Sequence, residues 1–251
     1  PSGRKRRLLA GGVLALALAS ACGGGGGGSA GSTINGNVST AQNAAAEKAG
    51  GHWLARAIQE VIGLGQRAWA QGPGSLEGIR VSARGRGGSA SATTREDGGF
   101  AISGAPTGDV TTTFSRGNCS SDLVLPAVAA RSTVTLEEVE LECTSARPGK
   151  IAETFQGVVR NKPGSQQGNL VVCADFGDGN GTRAVMVRNA EFLGPDGGPS
   201  DFAAVERGDR IEATGRRVGQ GAPSTHDADT VQILSSGEPD LCVGEDDFEG
   251  D

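Results

Sequence analysis

The sequence predicts a mainly β protein made of two small domains, each an antiparallel sandwich or barrel. Three observations lead there. Short apolar–polar alternations recur between Gly, Pro and Asn turns from Leu76 to Leu234, the pattern of half-buried antiparallel strands. The 251 residues are enough for one large domain or two small ones. With 43 Gly, 10 Pro, 4% aromatics and no Tyr, the interiors fall to Val, Ile, Leu and Ala. A mean hydropathy of -0.24 excludes a multispanning helical membrane protein.

The N-terminal part reads as an address. Arg4, Lys5, Arg6 and Arg7 precede an apolar run from Leu8 to Ala21, too short to cross a hydrocarbon core of about 30 Å as a helix. It ends in Ala19-Ser20-Ala21-Cys22, which resembles the lipobox of bacterial lipoproteins. Ala19 stands where that family usually has Leu, and Leu18 lies one place earlier. The resemblance implies a signal peptide over 1–21 and an acylated Cys22, palmitate included, as membrane anchor. The alternative is an ordinary secretory signal cleaved after Ala21, with Cys22 incidental. Residues 22–32 form a Gly-rich tether, opening with the unbroken glycines 23–28. Ten such residues reach roughly 17 Å as a flexible coil. Two or more acyl chains would hold the protein stably. The implied location is the exported side of the cell envelope, on the outer membrane if the cell has one.

Charge narrows the partners. The formal net charge is -6, and residues 1–21 hold four positive groups and no negative one. Neither domain has the basic surplus that a phosphate backbone demands, so nucleic acid is not expected. The tail 245–251 is acidic. Beyond Cys22 there remain Cys119, Cys143, Cys173 and Cys242. An even count in an exported chain predicts two disulfides with three possible connectivities. One bridge per domain would join Cys119 to Cys143 and Cys173 to Cys242. No C-x-x-C spacing supports zinc instead.

The first domain spans 33–146. Its expected strands are Ile34–Val38, Ile79–Ala83, Phe100–Ser103, Val110–Phe114, Leu123–Leu125 and Val134–Leu141, with turns at Asp97-Gly98-Gly99, Pro106-Thr107-Gly108 and Gly117-Asn118. Four segments carry a resemblance: Ile34-Asn35-Gly36-Asn37-Val38, Leu76-Glu77-Gly78-Ile79-Arg80-Val81, Thr94 through Ile102, and Ala105-Pro106-Thr107-Gly108-Asp109-Val110-Thr111. In order and spacing they are similar to the carboxypeptidase regulatory-like domain. That resemblance implies a transthyretin-like β-sandwich acting as an accessory module, without peptidase activity. Asp97 reads as a turn residue capping backbone N–H groups. A helical insertion over 41–71 departs from the family. Trp53, Leu54, Ala57, Ile58, Val61, Leu64, Ala68 and Trp69 recur at three- and four-residue steps, one apolar helical face. That face either packs on the sandwich as extra core or docks a partner, with Trp53, Ile58, Val61 and Trp69 as the candidate interaction residues.

The second domain spans 150–244. Strands are expected at Thr154–Val159, Asn169–Phe176, Ala184–Val187, Arg207–Gly215 and Ala228–Leu234. Asp178-Gly179-Asn180-Gly181 is a hairpin signal, and Asp201–Val205 a connector. The Gly208-Asp209 to Gly215 stretch and its flanks look like an OB-like barrel domain of uncharacterised exported bacterial proteins. OB folds often bind oligonucleotides or oligosaccharides. Few aromatics and a negative balance disfavour the first, which leaves Phe155, Phe176 and Phe192 as a candidate ligand face for a glycan.

Catalytic chemistry finds little support. Glu153, Asp175, His226 and Asp227 are the candidate acid–base groups, with no spacing that pairs them. Gly27-Gly28-Ser29-Ala30-Gly31 mimics a nucleophile elbow inside low complexity. Gly179-x-Gly181-x-x-Ala184 mimics a dinucleotide loop but leads into a strand. Asp175, Asp178 and Asn180 lack EF-hand spacing. The expectation is therefore a non-enzymatic envelope lipoprotein, with no cofactor and no metal. Its surface or structural role would involve an envelope protein or a glycan.

Overall fold

A computed structural model describes residues 31–39, 76–176, 179–218, 225–239 and 242. These residues form β-strands and one short 3-10 turn. The expected helical insertion over 41–71 lies outside the described residues.

The first unit is a two-layer sandwich. One layer contains β1 (Ser32–Ser39), β4 (Gly99–Ala105), β7 (Thr133–Glu142) and β8 (Ser145–Arg147), in the order β4-β1-β7-β8. The other contains β2 (Arg80–Gly85), β3 (Gly88–Thr93), β5 (Gly108–Arg116) and β6 (Cys119–Val128), in the order β3-β2-β5-β6. Period-two alternation sends one set of side chains inward. On β5, Val110, Thr112 and Phe114 are buried while Asp109 is exposed. Phe100 and Phe114 meet edge to face with centroids 5.8 Å apart, joining the layers. The Asp97 turn forms as the sequence suggests. Its carboxylate accepts the Gly99 N–H at 2.8 Å, and Gly98 takes φ +80°, which a side chain would resist.

The second unit is a closed barrel. It comprises β9 (Lys150–Asn161), β10 (Asn169–Asp175), β11 (Asn180–Met186), β13 (Arg210–Val218) and β14 (Thr225–Ser235). Pairings run β9-β10-β11-β14-β13 and back to β9, with only β11 and β14 parallel among them. The circuit leaves no open edge among the five. β12 (Glu191–Leu193) adds to β14, and Asp201 caps the 3-10 turn Phe202–Ala204. Gly215 is needed where β13 crosses β14, because a Cβ there would strike the Asp227 carbonyl.

Two differences from the sequence reading have simple causes. β3 was not expected because Gly-Ser-Ala-Ser-Ala-Thr presents no apolar alternation, and its side chains are mostly exposed. β8 and β12 are three residues long, too short to show a period.

The two units have separate cores, one around Ile34, Phe114 and Leu136 and the other around Phe155, Leu170 and Ile211. Yet one sheet runs through both. β7 pairs antiparallel with β9 from Thr133↔Thr154 to Glu137↔Lys150. Disulfides join Cys119 to Cys143 in the first unit and Cys173 to Cys242 in the second, with Cα separations of 4.8 and 5.9 Å. Bridges of this kind point to an oxidising, extracytoplasmic compartment. Among the described residues no helix is long and apolar enough to cross a membrane.

Candidate functional site

The barrel interior carries an unexpected set of charges at the end facing the sandwich. On β9 the inward positions are Glu153, Phe155 and Gly157. On β11 they include Arg183 and Val185, and on β13 Ile211, Ala213 and Gly215, with Arg217 next in phase. On β14 they include His226 and Ala228. Alternation that buries apolar groups elsewhere therefore aims Glu153, Arg183, Arg217 and His226 at one another.

Their geometry is tight. Glu153 Oε2 accepts from Arg183 Nη1 and from Arg217 Nε, each at 2.8 Å, and Oε1 accepts from Arg217 Nη2 at 3.1 Å. Both guanidinium groups then reach across to the sandwich. Arg217 donates to the Pro126 and Ala127 carbonyls, at 2.5 and 3.1 Å, and Arg183 donates to the Ala127 carbonyl. Ala127 holds φ +50° to present these oxygens, a conformation that costs an L-residue roughly 1–2 kcal/mol. The guanidinium of Arg183 also lies over Phe155 and Phe176, 4.6 and 5.1 Å from the ring centroids. The side chains of Glu153, Arg183 and Arg217 are 0%, 2% and 3% exposed.

The electrostatics follow from that burial. Desolvation pushes the Glu153 carboxyl up, but Arg217 and then Arg183 overrule it and hold its pKa below the ordinary value. His226 has no exposed surface, stacks edge-on against Phe155 at 5.0 Å, and among the described residues finds no hydrogen-bond partner for either ring nitrogen. Burial disfavours its cation; Glu153 pulls the other way, while Arg183 and Arg217 reinforce burial. The result is a pKa of about 4. At neutral pH the cluster holds two cations, one anion and a neutral imidazole. A group that moves protons for a substrate must reach it. These four are almost wholly buried, only Arg217 reaching the wall of a surface groove, and their arrangement suits bracing one unit against the other. A further bond crosses the junction, from Ala130 N–H to the Asp175 carbonyl at 2.6 Å.

The sequence-based candidates fare unevenly. Cys22, Trp53, Ile58, Val61 and Trp69 lie outside the described residues. Phe155, Phe176 and Phe192 do not form a ligand face: they are only 1%, 9% and 5% exposed and belong to the barrel core. A five-stranded barrel is narrow and fills its interior with large apolar side chains. Of the four acid–base candidates, Glu153 and His226 lie in the same buried cluster and influence one another electrostatically. Asp227 points outward and pairs with Arg216 at 2.8 Å, and Asp175 lies on the barrel exterior. Nothing in the sequence motifs singles out Arg183 and Arg217, because an isolated charge in a strand is ordinarily solvated. The usable signal was their phase, two residues along from buried apolar positions. Among the described residues no three His, Cys, Asp or Glu side chains gather as a metal site.

Two surface cavities flank the junction. One, of about 380 Å³, is lined by Arg131, Gln156, Asp175, Asn180, Arg210 and Glu238, among others. The other, of about 460 Å³, lies between residues 148–151 and 216–218. No family model, no curated protein and no solved structure matches the chain.

Proposed function

We propose that the chain is a cell-envelope lipoprotein, anchored through acylated Cys22, whose two β units work as a non-enzymatic interaction or structural module. The observation that carries this reading is the braced junction. Shared sheet β7–β9 and the Glu153–Arg183–Arg217 cluster make the second unit continue the first, as a spacer or presenting platform requires. Two disulfides agree with export, and the Gly-rich segment 22–32 suits a tether. In this reading the first unit is a transthyretin-like accessory domain. Its two facing sheets and the Asp97 turn agree with the carboxypeptidase regulatory-like pattern. The second unit is OB-like, an assignment favoured by its first-second-third-fifth-fourth strand circuit. The insert 41–71 would offer Trp53, Ile58, Val61 and Trp69 to an envelope partner. Mass spectrometry of the mature N-terminus tests the anchor. A diacylated Cys22, and release from membranes in Cys22→Ser, are expected. An unmodified terminus on soluble protein would sink the proposal.

A second reading is a glycan-binding envelope protein. The junction cavity beside Arg131, Gln156 and Arg210 favours it, since such side chains hydrogen-bond sugar hydroxyls. Pull-down on peptidoglycan, lost in Arg210→Ala while the fold is kept, would support this reading over the first.

A further inference from the structure

The cavity between residues 148–151 and 216–218 has a character unlike the rest of the chain. The protein as a whole is acidic, with a formal charge of -6. Yet Lys150, Arg216 and Arg217 all line this groove, and among the described residues no carboxylate does. Four acids stand just outside the lining: Glu153 holds Arg217, Asp227 holds Arg216, and Glu137 and Glu138 lie beside Lys150 and Gly149. Glu137 is 3.8 Å from Lys150 Nζ with both side chains 47% exposed. The long, exposed Lys150–Glu137 pair is weak and exchanges readily with a competing anion.

Arg217 supplies the second observation. Its side chain is 3% exposed, and four bonds hold it, to Glu153 and to the Pro126 and Ala127 carbonyls. One of its five N–H groups, on Nη1, remains without an acceptor among the described residues. Below the groove two guanidinium groups share one carboxylate, and the nearby imidazole is neutral. A buried excess of one positive charge gains from a counter-anion at its edge.

We propose that this groove binds a single anionic group, a carboxylate or phosphate monoester carried by an envelope component. Lys150 and Arg216 receive it from the solvent side, and Arg217 holds it from the protein side. The volume of about 460 Å³ fits a small ligand or one unit of a polymer. An extended polyanion is disfavoured, because charges beyond a screening length of about 8 Å would meet an acidic protein surface. This inference stands apart from the lipid anchor and from the glycan reading, which uses the other cavity.

Titration calorimetry on the full chain in detergent tests it, with three probes. Glycerol 3-phosphate represents the phosphate, N-acetylmuramic acid the sugar carboxylate, and N-acetylglucosamine the neutral sugar. Saturable binding of one or both anionic probes is expected, with none of the neutral sugar. Which anion binds identifies the source. The double variant Lys150→Ala, Arg216→Ala removes only exposed side chains and should weaken that binding by about tenfold or more. Raised NaCl should weaken it as well. Absence of binding by both anions would overturn the proposal. So would unchanged affinity in a double variant with wild-type circular dichroism, or equal binding of the neutral sugar. The last outcome would transfer the site to the glycan reading.

Discussion

The sandwich and the barrel are similar in construction and opposite in what they bury. Among the described residues of the sandwich the buried polar side chains are hydroxyls, such as Ser32, Thr94, Thr112 and Ser121, set among aliphatic and phenyl groups. Inside the barrel they include Glu153, Arg183, Asp209 and His226. The contrast makes the barrel the conditional partner. Its arginines need the Pro126 and Ala127 carbonyls of the sandwich, whereas the sandwich core needs nothing charged from the barrel. Breaking a buried ion pair is costly even where replacing it entirely is not.

The largest expected effect tests that asymmetry. Glu153→Leu leaves two guanidinium groups buried without an anion and should destabilise the barrel by about 3–5 kcal/mol. Urea unfolding followed by hydrogen exchange should locate the loss in β9, β11 and β13 before any loss in β2 or β5. Adding Arg183→Met and Arg217→Met to that variant should recover most of it. If the triple variant is no better than Glu153→Leu alone, charge is not what makes the barrel conditional.

Next come the disulfides. The Cys173–Cys242 bridge closes a separation of 69 residues and Cys119–Cys143 one of 24. In the chain-entropy account, opening them costs roughly 4 and 3 kcal/mol respectively. Paired Cys→Ala variants, compared by thermal unfolding, should therefore favour the sandwich. A reversed order would mean that strain or residual structure outweighs loop length.

Acid should destabilise the barrel selectively. The His226 pKa is about 4 in the folded chain and 6.5 as the ordinary value. The unfolded chain therefore takes up this proton first as pH falls. The stability linked to a neutral His226 is complete above pH 6.5, declines between 6.5 and 4, and is gone below, a loss of roughly 3 kcal/mol. Glu153 acts in a lower window. Its pKa is held below the ordinary 4.5, so its contribution disappears as pH falls beneath that value. Urea midpoints measured from pH 7 to pH 4 should slope for the barrel and stay flatter for the sandwich. His226→Phe should remove the upper part of the slope; an unchanged slope would assign it to another group.

The smallest effect is a control on the sandwich surface. Val124 is 61% exposed on β6. Val124→Lys should leave the unfolding midpoint within about 0.5 kcal/mol of the parent. A larger loss would show that this face is covered by something in the intact protein.

Much of the strand order was legible because alternation is a local property. Phe100–Ser103, Val110–Phe114 and Ala228–Leu234 all fall inside observed strands. The Asp97 turn was legible for the same reason, since its cap spans two residues. The ligand face was misread, because a list of phenylalanines does not say which side of the barrel wall each occupies. The charged cluster was half visible. Glu153 and His226 stood out as titratable groups, but Arg183 and Arg217 passed for surface charges.

By itself the sequence determined the mainly β character, the turns and the supply of four cysteines for two bridges. Each depends on neighbours a few residues apart or on a simple count. Only the tertiary structure decided that β7 pairs with β9, that five strands close into a circuit, and that Arg217 meets Glu153 across 64 residues. Those outcomes depend on loop closure and strand register. A period of two states which residues share a face, but not which faces meet.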